Sequence, residues 1–203
     1  MTPIIILNGP PGVGKDTIAN ALDAQHGVMH MRVKDELYRN AYELFLKTMM
    51  PRDIRQRGLS PAEFVAACTD RELKEKPMKW LNDLSPREAL IFTSEKVFKP
   101  VLGNDYYGKA AARRADVVLN NNAPGVKNIV FSDGGFREEV DAIASCHDVL
   151  LVRLHREGFT FEGDSRSYLR GVNGVVEELD LHLEDGNVQL AVDKIACAAG
   201  ITT

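Results

Sequence analysis

The stretch Gly9-Pro10-Pro11-Gly12-Val13-Gly14-Lys15 constrains this chain more than any other. It fits the pattern G-x-x-x-x-G-K in full, a pattern that carries meaning where a strand runs into it and a helix leaves it. Both conditions are met. Ile4-Ile5-Ile6-Leu7 is an unbroken apolar run ending in Asn8-Gly9, as expected of a strand buried on both faces. A helix is expected from Lys15, with Ile18, Leu22 and Gln25 on successive turns and Gly27 as its stop. Glycines in such a loop let backbone N–H groups wrap phosphate oxygens, and the helix start adds the positive end of its dipole. Gly12, Val13, Gly14, Lys15, Asp16 and Thr17 are therefore the expected nucleotide contacts. Lys15 would bridge the outer phosphates and follow charge onto a transferred group.

Asp16 departs from the general pattern, in which a hydroxyl follows the lysine and binds Mg²⁺. A carboxylate also serves a hard cation, directly or through water, and Thr17 supplies a hydroxyl one residue later. An aspartate in a first helical turn is equally explained by the dipole alone. The residue type leaves both readings open.

Downstream, Val28 to Met31 reads as a second strand. Residues 33–49 then read as a helix with Val33, Leu37, Ala41, Leu44 and Phe45 along one face. Ser60-Pro61 and Ser85-Pro86 each place a capping hydroxyl before a proline at the first helical position. The first is expected to open a helix to about Glu75, and a further helix is expected over 104–119. Strands resume at 128–133 and 148–154, with a helix at 136–145 between them. A polar segment at 156–174, a short strand at 179–183 and a closing helix at 187–199 complete the chain.

The alternation predicts an α/β fold with a five-stranded parallel sheet. The expected core is about 1–32 and 125–203, with a helical insertion at about 33–124 and an arginine-bearing loop at about 156–174. Both attachments leave the carboxyl ends of strands, where ligands of such sheets bind.

At 203 residues with a formal charge of −4, the chain suits one domain and argues against wholesale nucleic-acid binding. Its three cysteines, Cys68, Cys146 and Cys197, are far apart and lack metal-ligand spacing, which suggests reduced thiols in a cytoplasmic protein. The apolar run near the start is too short for a membrane span or a signal peptide.

Within the insertion, "DRELKEKP", "SPRE", "FTSE" and "NDYYGKA" follow the loop's "GKDT" in one order. In that order they resemble the phage-type deoxynucleoside monophosphate kinases, part of the wider P-loop nucleoside monophosphate kinase group. "SDGGFREEVDAI" and "LEDGNVQLAVDKI" are similar to that family's later strand-and-helix segments. The family often has "LGTE" where this chain has Phe92-Thr93-Ser94-Glu95, and tends to carry tryptophan near Tyr107. The resemblance implies ATP as donor, Mg²⁺ as cofactor, a (deoxy)nucleoside monophosphate as acceptor, and a host-cytoplasmic location if phage-encoded. It also implies that the 156–174 loop is a lid. A homodimer is left open.

Physically, the insertion has the cations that a second phosphate group needs. Arg71, Lys74 and Arg87 lie at helix ends, and guanidinium forks suit phosphate oxygens. Glu72 and Glu75 offer Arg71 and Lys74 the plainer role of a salt-bridged face. Arg87 and Arg137 sit near helix starts, where a cation is disfavoured unless an anion joins it. Lys34 and Tyr107 are further expected acceptor contacts, and Phe92 and Tyr106 are rival base platforms. Asp133 is expected to hold Mg²⁺ or substrate, although an aspartate before Gly134-Gly135 also suits a turn. Lys15, Arg137, Arg153 and Arg156 are the expected catalytic cations, with Arg166 and Arg170 on the substrate. Positioning and charge neutralisation carry phosphoryl transfer, so no nucleophile is needed. A kinase for a modified nucleotide or another small phosphorylated acceptor is the alternative. A switch or motor ATPase is disfavoured, because "FSDGG" lacks the paired acids of a hydrolysing site.

Overall fold

A computed structural model describes residues 2–49, 59–120, 126–184 and 187–201, the side chains of 48 and 49 excepted. The expected end of the insertion, near 124, lies outside the described residues. The chain divides into two compact units, Met1–Val33 with Tyr107–Thr203, and Lys34–Tyr106.

Five strands build the first unit: β1 (Ile4–Asn8), β2 (Val28–Met31), β3 (Asn128–Phe131), β4 (Val149–His155) and β5 (Val175–His182). Their order is β2-β3-β1-β4-β5, and every pairing is parallel. All residues of β1 and β3 are buried, which is why both read as nearly unbroken apolar runs. The helices are α1 (Lys15–His26), α2 (Asp35–Tyr42), α3 (Pro61–Thr69), α4 (Pro86–Phe92), α5 (Lys99–Leu102), α6 (Tyr106–Asn120), α7 (Arg137–Ala144) and α8 (Val188–Ala198). On one face of the sheet Ile5, Leu7, Val130 and Val152 pack with Ile18 and Leu22 of α1 and with Val192 and Ile195 of α8. This is the stripe expected for the closing helix.

Three boundaries differ from expectation. The last strand starts at Val175, because Glu177, Glu178 and Asp180 hide it in the sequence. As an edge strand it pairs with β4 alone and leaves most of its residues exposed. The insertion ends at Tyr106, because α6 buries Gly108, Ala110, Ala111, Ala112 and Ala115 and clusters with the sheet unit. The helix opened by Ser60 stops at Thr69, where Asp70 turns extended and its Oδ1 accepts 2.8 Å bonds from the Glu72 and Leu73 amides.

In the second unit, Ser60 and Ser85 each form a capping box, with Glu63 and Glu88 respectively. The expected 33–49 helix is α-helical to Tyr42 and then widens into a π-helix over Glu43–Met49. A second π-helix, Thr93–Phe98, carries most of "FTSE". Such segments are rare and recur at functional sites. Phe45, Phe64, Leu81 and Ala89 centre this unit's core. Cys68 lies beside them, and burial pushes its thiol up to about 12. Among the described residues no helix is long and apolar enough to cross a membrane.

Candidate functional site

The phosphate loop joins β1 to α1. Gly12 and Gly14 take φ of 78° and 113°, the left-handed region that strains residues with a Cβ. This curls the chain so that Gly14 caps α1 with no side chain of its own, at a helix start whose first-turn N–H groups suit an anion. Lys15 Nζ donates to the Gly9 and Pro10 carbonyls, each at 2.7 Å. The ammonium is thus held across the mouth of its own loop, where incoming phosphate oxygens can replace the carbonyls. Thr17 is exposed one residue beyond Asp16.

Asp16 remains 67% exposed, yet one of its oxygens is firmly held. Ser132 Oγ donates to Asp16 Oδ1 at 2.7 Å, with His30 Nε2 at 3.6 Å and Arg32 Nε at 3.8 Å from the same oxygen. Burial holds the His30 pKa below its usual value, and Arg32 adds to that; Asp16 and Asp133 pull the other way. Asp133 is buried, and its Oδ1 accepts the Val33 amide at 2.7 Å.

Asn8, the last residue of β1, is 1% exposed and fastens the 156–174 loop to the sheet. Its Nδ2 donates to the carbonyls of Gly134 (3.1 Å) and Ser167 (3.3 Å), and its Oδ1 accepts from the Leu169 amide (3.0 Å). At the other side of that loop, Phe159 lies over the phosphate loop, so close that a Cβ at position 12 would stand 3.0 Å from its ring. The Arg156 guanidinium sits 5.0 Å from the centre of the same ring. Beside them is an open cavity of about 500 Å³ lined by His155, Arg156, Phe159, Tyr168 and His182. His155 stands between Tyr168 and His182, at 4.3 and 4.9 Å between ring centres.

Of the seven arginines expected to handle phosphates, Arg153 has another occupation. It is 3% exposed. Its guanidinium donates to Asp180 (2.9 and 2.7 Å), Glu178 (2.6 Å) and the Leu169 carbonyl (3.0 Å). The pairing raises its pKa and holds the Asp180 and Glu178 carboxyls below the usual range. A buried guanidinium with its donors so engaged is a clasp between β4, β5 and the loop that carries Leu169. Arg170, exposed, reaches Asp180 only at 3.4 Å. Arg166 forks onto Asp164 at 2.8 and 2.5 Å, which raises its pKa. Arg137 donates to the carbonyls of Arg170 (2.6 Å) and Gly171 (3.1 Å), tying the start of α7 to the 156–174 loop.

In the helical unit, Lys74 and Arg87 converge on one carboxylate, Glu75, at 3.9 and 3.1 Å. Arg71 is exposed nearby in sequence, and Lys34 is half-buried ahead of α2. Tyr107, expected at the acceptor, is 2% exposed and lies among the buried alanines of α6. Tyr106 is the half-buried one. Its hydroxyl donates to Glu36 and accepts from Asn40, both at 3.3 Å, and its ring stacks 5.7 Å from Phe98. Phe92 meets Phe45 edge-on.

Sequence reasoning missed Asn8, His30 and Ser132. A polar residue closing an apolar strand was the available signal for Asn8. His30 and Ser132 sit in ordinary strand positions and gave none.

Among the described residues no group of three or more His, Cys, Asp or Glu side chains is placed to hold a metal ion. Mg²⁺ does not require one. It keeps several waters and takes one or two carboxylates besides substrate phosphates, a donor set that the Asp16 carboxylate, the Thr17 hydroxyl and Asp133 fit.

No family model matches the chain. It is 34% identical over 94 residues to an adenylate kinase of Prochlorococcus marinus strain MIT 9303, covering 44% of this chain and 50% of that protein. It is 33% identical over 102 residues to the adenylate kinase of strain MIT 9313, covering 48% and 53%. The chain thus spans about half the length of the curated relatives it matches. Among solved structures, an unliganded sugar kinase from Janibacter sp. HTCC2649 superposes with a TM-score of 0.47 at 14% identity, covering 100% of this chain and 96% of that one. A gluconokinase from Sinorhizobium meliloti 1021 gives 0.42 at 13%, covering 98% and 92%. Likeness this loose says nothing about chemistry. What this chain shares with these adenylate kinases is a partial sequence similarity over about half of each chain.

Proposed function

We propose that this chain transfers the γ-phosphoryl group of ATP to a nucleoside monophosphate, with a deoxynucleotide as the preferred acceptor. The observation that carries the reading is Lys15 poised over a left-handed glycine loop at the start of α1. Partial similarity to adenylate kinases supports the nucleotide class, and the order of the "DRELKEKP", "SPRE", "FTSE" and "NDYYGKA" segments supports the deoxynucleotide refinement.

The loop amides and Lys15 bind the donor's β- and γ-phosphates. The donor's base finds aromatic and cationic surface in the cavity of His155, Arg156 and Phe159. Lys74 and Arg87 take the acceptor's phosphate in place of Glu75, since exposed ion pairs contribute only about 0–1 kcal/mol and exchange readily. An oxygen of that phosphate attacks the γ-phosphorus as its bond to the ADP oxygen breaks. Arg137, Arg156, Arg166 and Arg170 are the cations that neutralise the charge spreading over the transferred group. Asp16, Thr17 and Asp133 would hold Mg²⁺, which would supply positive charge to the donor's phosphates. The lid, fastened by Asn8, excludes water that would hydrolyse the donor. ADP release from MgATP that depends on an added nucleoside monophosphate tests the reading. Release without any acceptor would point to a hydrolase.

A further inference from the structure

A carboxylate two-thirds exposed at a helix start needs nothing but the dipole to sit there. Asp16 has much more. Ser132, just past β3, is 2% exposed and places its Oγ 2.7 Å from Asp16 Oδ1 and 2.7 Å from His30 Nε2. His30, on β2, in turn places Nδ1 2.8 Å from Asn20 Oδ1, one turn beyond Asp16 on α1. Burying a histidine ring and a hydroxyl costs free energy unless both are bonded. Here that cost is met to fix the orientation of one exposed acid.

Proton accounting gives the chain a direction. Ser132 has one O–H, which goes to the carboxylate. Its oxygen must then accept from an Nε2–H of His30; a second ring proton, on Nδ1, donates to Asn20 Oδ1, and without it the Asn20 amide must turn its Nδ2–H toward the bare Nδ1. The remaining tautomer, with hydrogen on Nδ1 alone, would set two lone pairs face to face at 2.7 Å. Among the described residues every contact to the Asp16 carboxylate falls on Oδ1.

We propose that Ser132, backed by His30 and Asn20, is the positioning residue that holds Asp16 by Oδ1 and so presents Oδ2 to the hydrated divalent cation carried by the nucleotide's phosphates. The carboxylate stands in for the hydroxyl usual after the lysine, and the relay supplies the rigidity that a flexible acid lacks. The inference rests on the phosphate-loop reading above and names residues which that reading does not use.

The test follows free Mn²⁺ by its paramagnetic resonance as it binds to the protein with ADP. Ser132→Ala is expected to weaken Mn²⁺ binding by about 10-fold or more, the usual effect of removing a partner that orients a metal ligand. ADP binding without metal should be unchanged. Asp16→Asn should weaken Mn²⁺ binding as well, and adding Ser132→Ala to it should cost nothing further. Should Ser132→Ala melt below the assay temperature, His30→Phe serves, because it removes the donor that aims the serine hydroxyl. Unchanged Mn²⁺ affinity, an equal loss in the Asp16→Asn background, or a parallel loss of metal-free ADP binding would each overturn the proposal. ADP binding without acceptor-dependent turnover would sink the kinase reading while the Mn²⁺ comparison still decides the relay. No ADP binding by the wild type would overturn both.

Discussion

Replacing Arg153 by methionine keeps the apolar stem and removes the fork. In the native chain that fork makes three bonds to carboxylates and one to the Leu169 carbonyl. Charge-assisted bonds contribute about 1.5–3 kcal/mol each, but the guanidinium itself is almost wholly desolvated at a cost of several kcal/mol. The side chains of Glu178 and Asp180 are 28% and 34% exposed, so water recovers part of what they lose. The net expected loss is about 2–4 kcal/mol, at the lower edge of the cost of breaking a buried pair. For a chain of this size that lowers Tm by roughly 4–16 °C. Urea unfolding at neutral pH measures the loss. The sign with pH follows from the two depressed carboxyls. Their contribution is full above the ordinary carboxylate values, about 3.9 and 4.3, and fades as pH falls below them. The wild type should therefore lose its advantage over Arg153→Met as pH drops below about 4. A variant as stable as the wild type but devoid of phosphoryl transfer would refute the clasp and return Arg153 to catalysis.

Lys15→Ala should abolish acceptor phosphorylation, by at least about 100-fold, with little change in Tm, since the bonds its ammonium makes to the Gly9 and Pro10 carbonyls stay within the loop. Steady-state kinetics and a thermal melt check the pair. A Cβ at Gly134 would stand 2.1 Å from Ile6 Cγ2, in the packed sheet, so Gly134→Ala should lose about 1–3 kcal/mol in urea unfolding. Asn8→Ala strands the Gly134 and Ser167 carbonyls and the Leu169 amide; it should free the lid, seen as faster amide exchange at Leu169, and raise acceptor-independent ATP hydrolysis. Ser85→Ala removes the cap of α4 and should cost about 1 kcal/mol.

Much of the fold was legible because its determinants are local. Ile4–Leu7 reads as a buried strand, Ser85-Pro86 as a cap, and the glycine loop as a strand-to-helix junction, each from neighbours in sequence. The start of β5 was not, because acidic residues on an edge strand carry no apolar pattern, and their partner Arg153 lies 25 residues and more away. The same distance effect hid the site's support. Asn8 meets Leu169, and Ser132 meets Asp16, only once the sheet has formed. Arg153 and Tyr107 show the converse, residue types suited to phosphate or base that are buried in the fold. Charge type alone does not separate a clasp from a catalytic cation.

The central claim is phosphoryl transfer to a nucleoside monophosphate. Its most direct test is ADP formation from MgATP with each deoxy- and ribonucleoside monophosphate in turn, beside a control with no acceptor. The account predicts ADP release that appears with one or a few acceptors, favours the deoxy form and vanishes in Lys15→Ala. Release that is equal with and without acceptor, or silence with every nucleotide despite ATP binding, would contradict it.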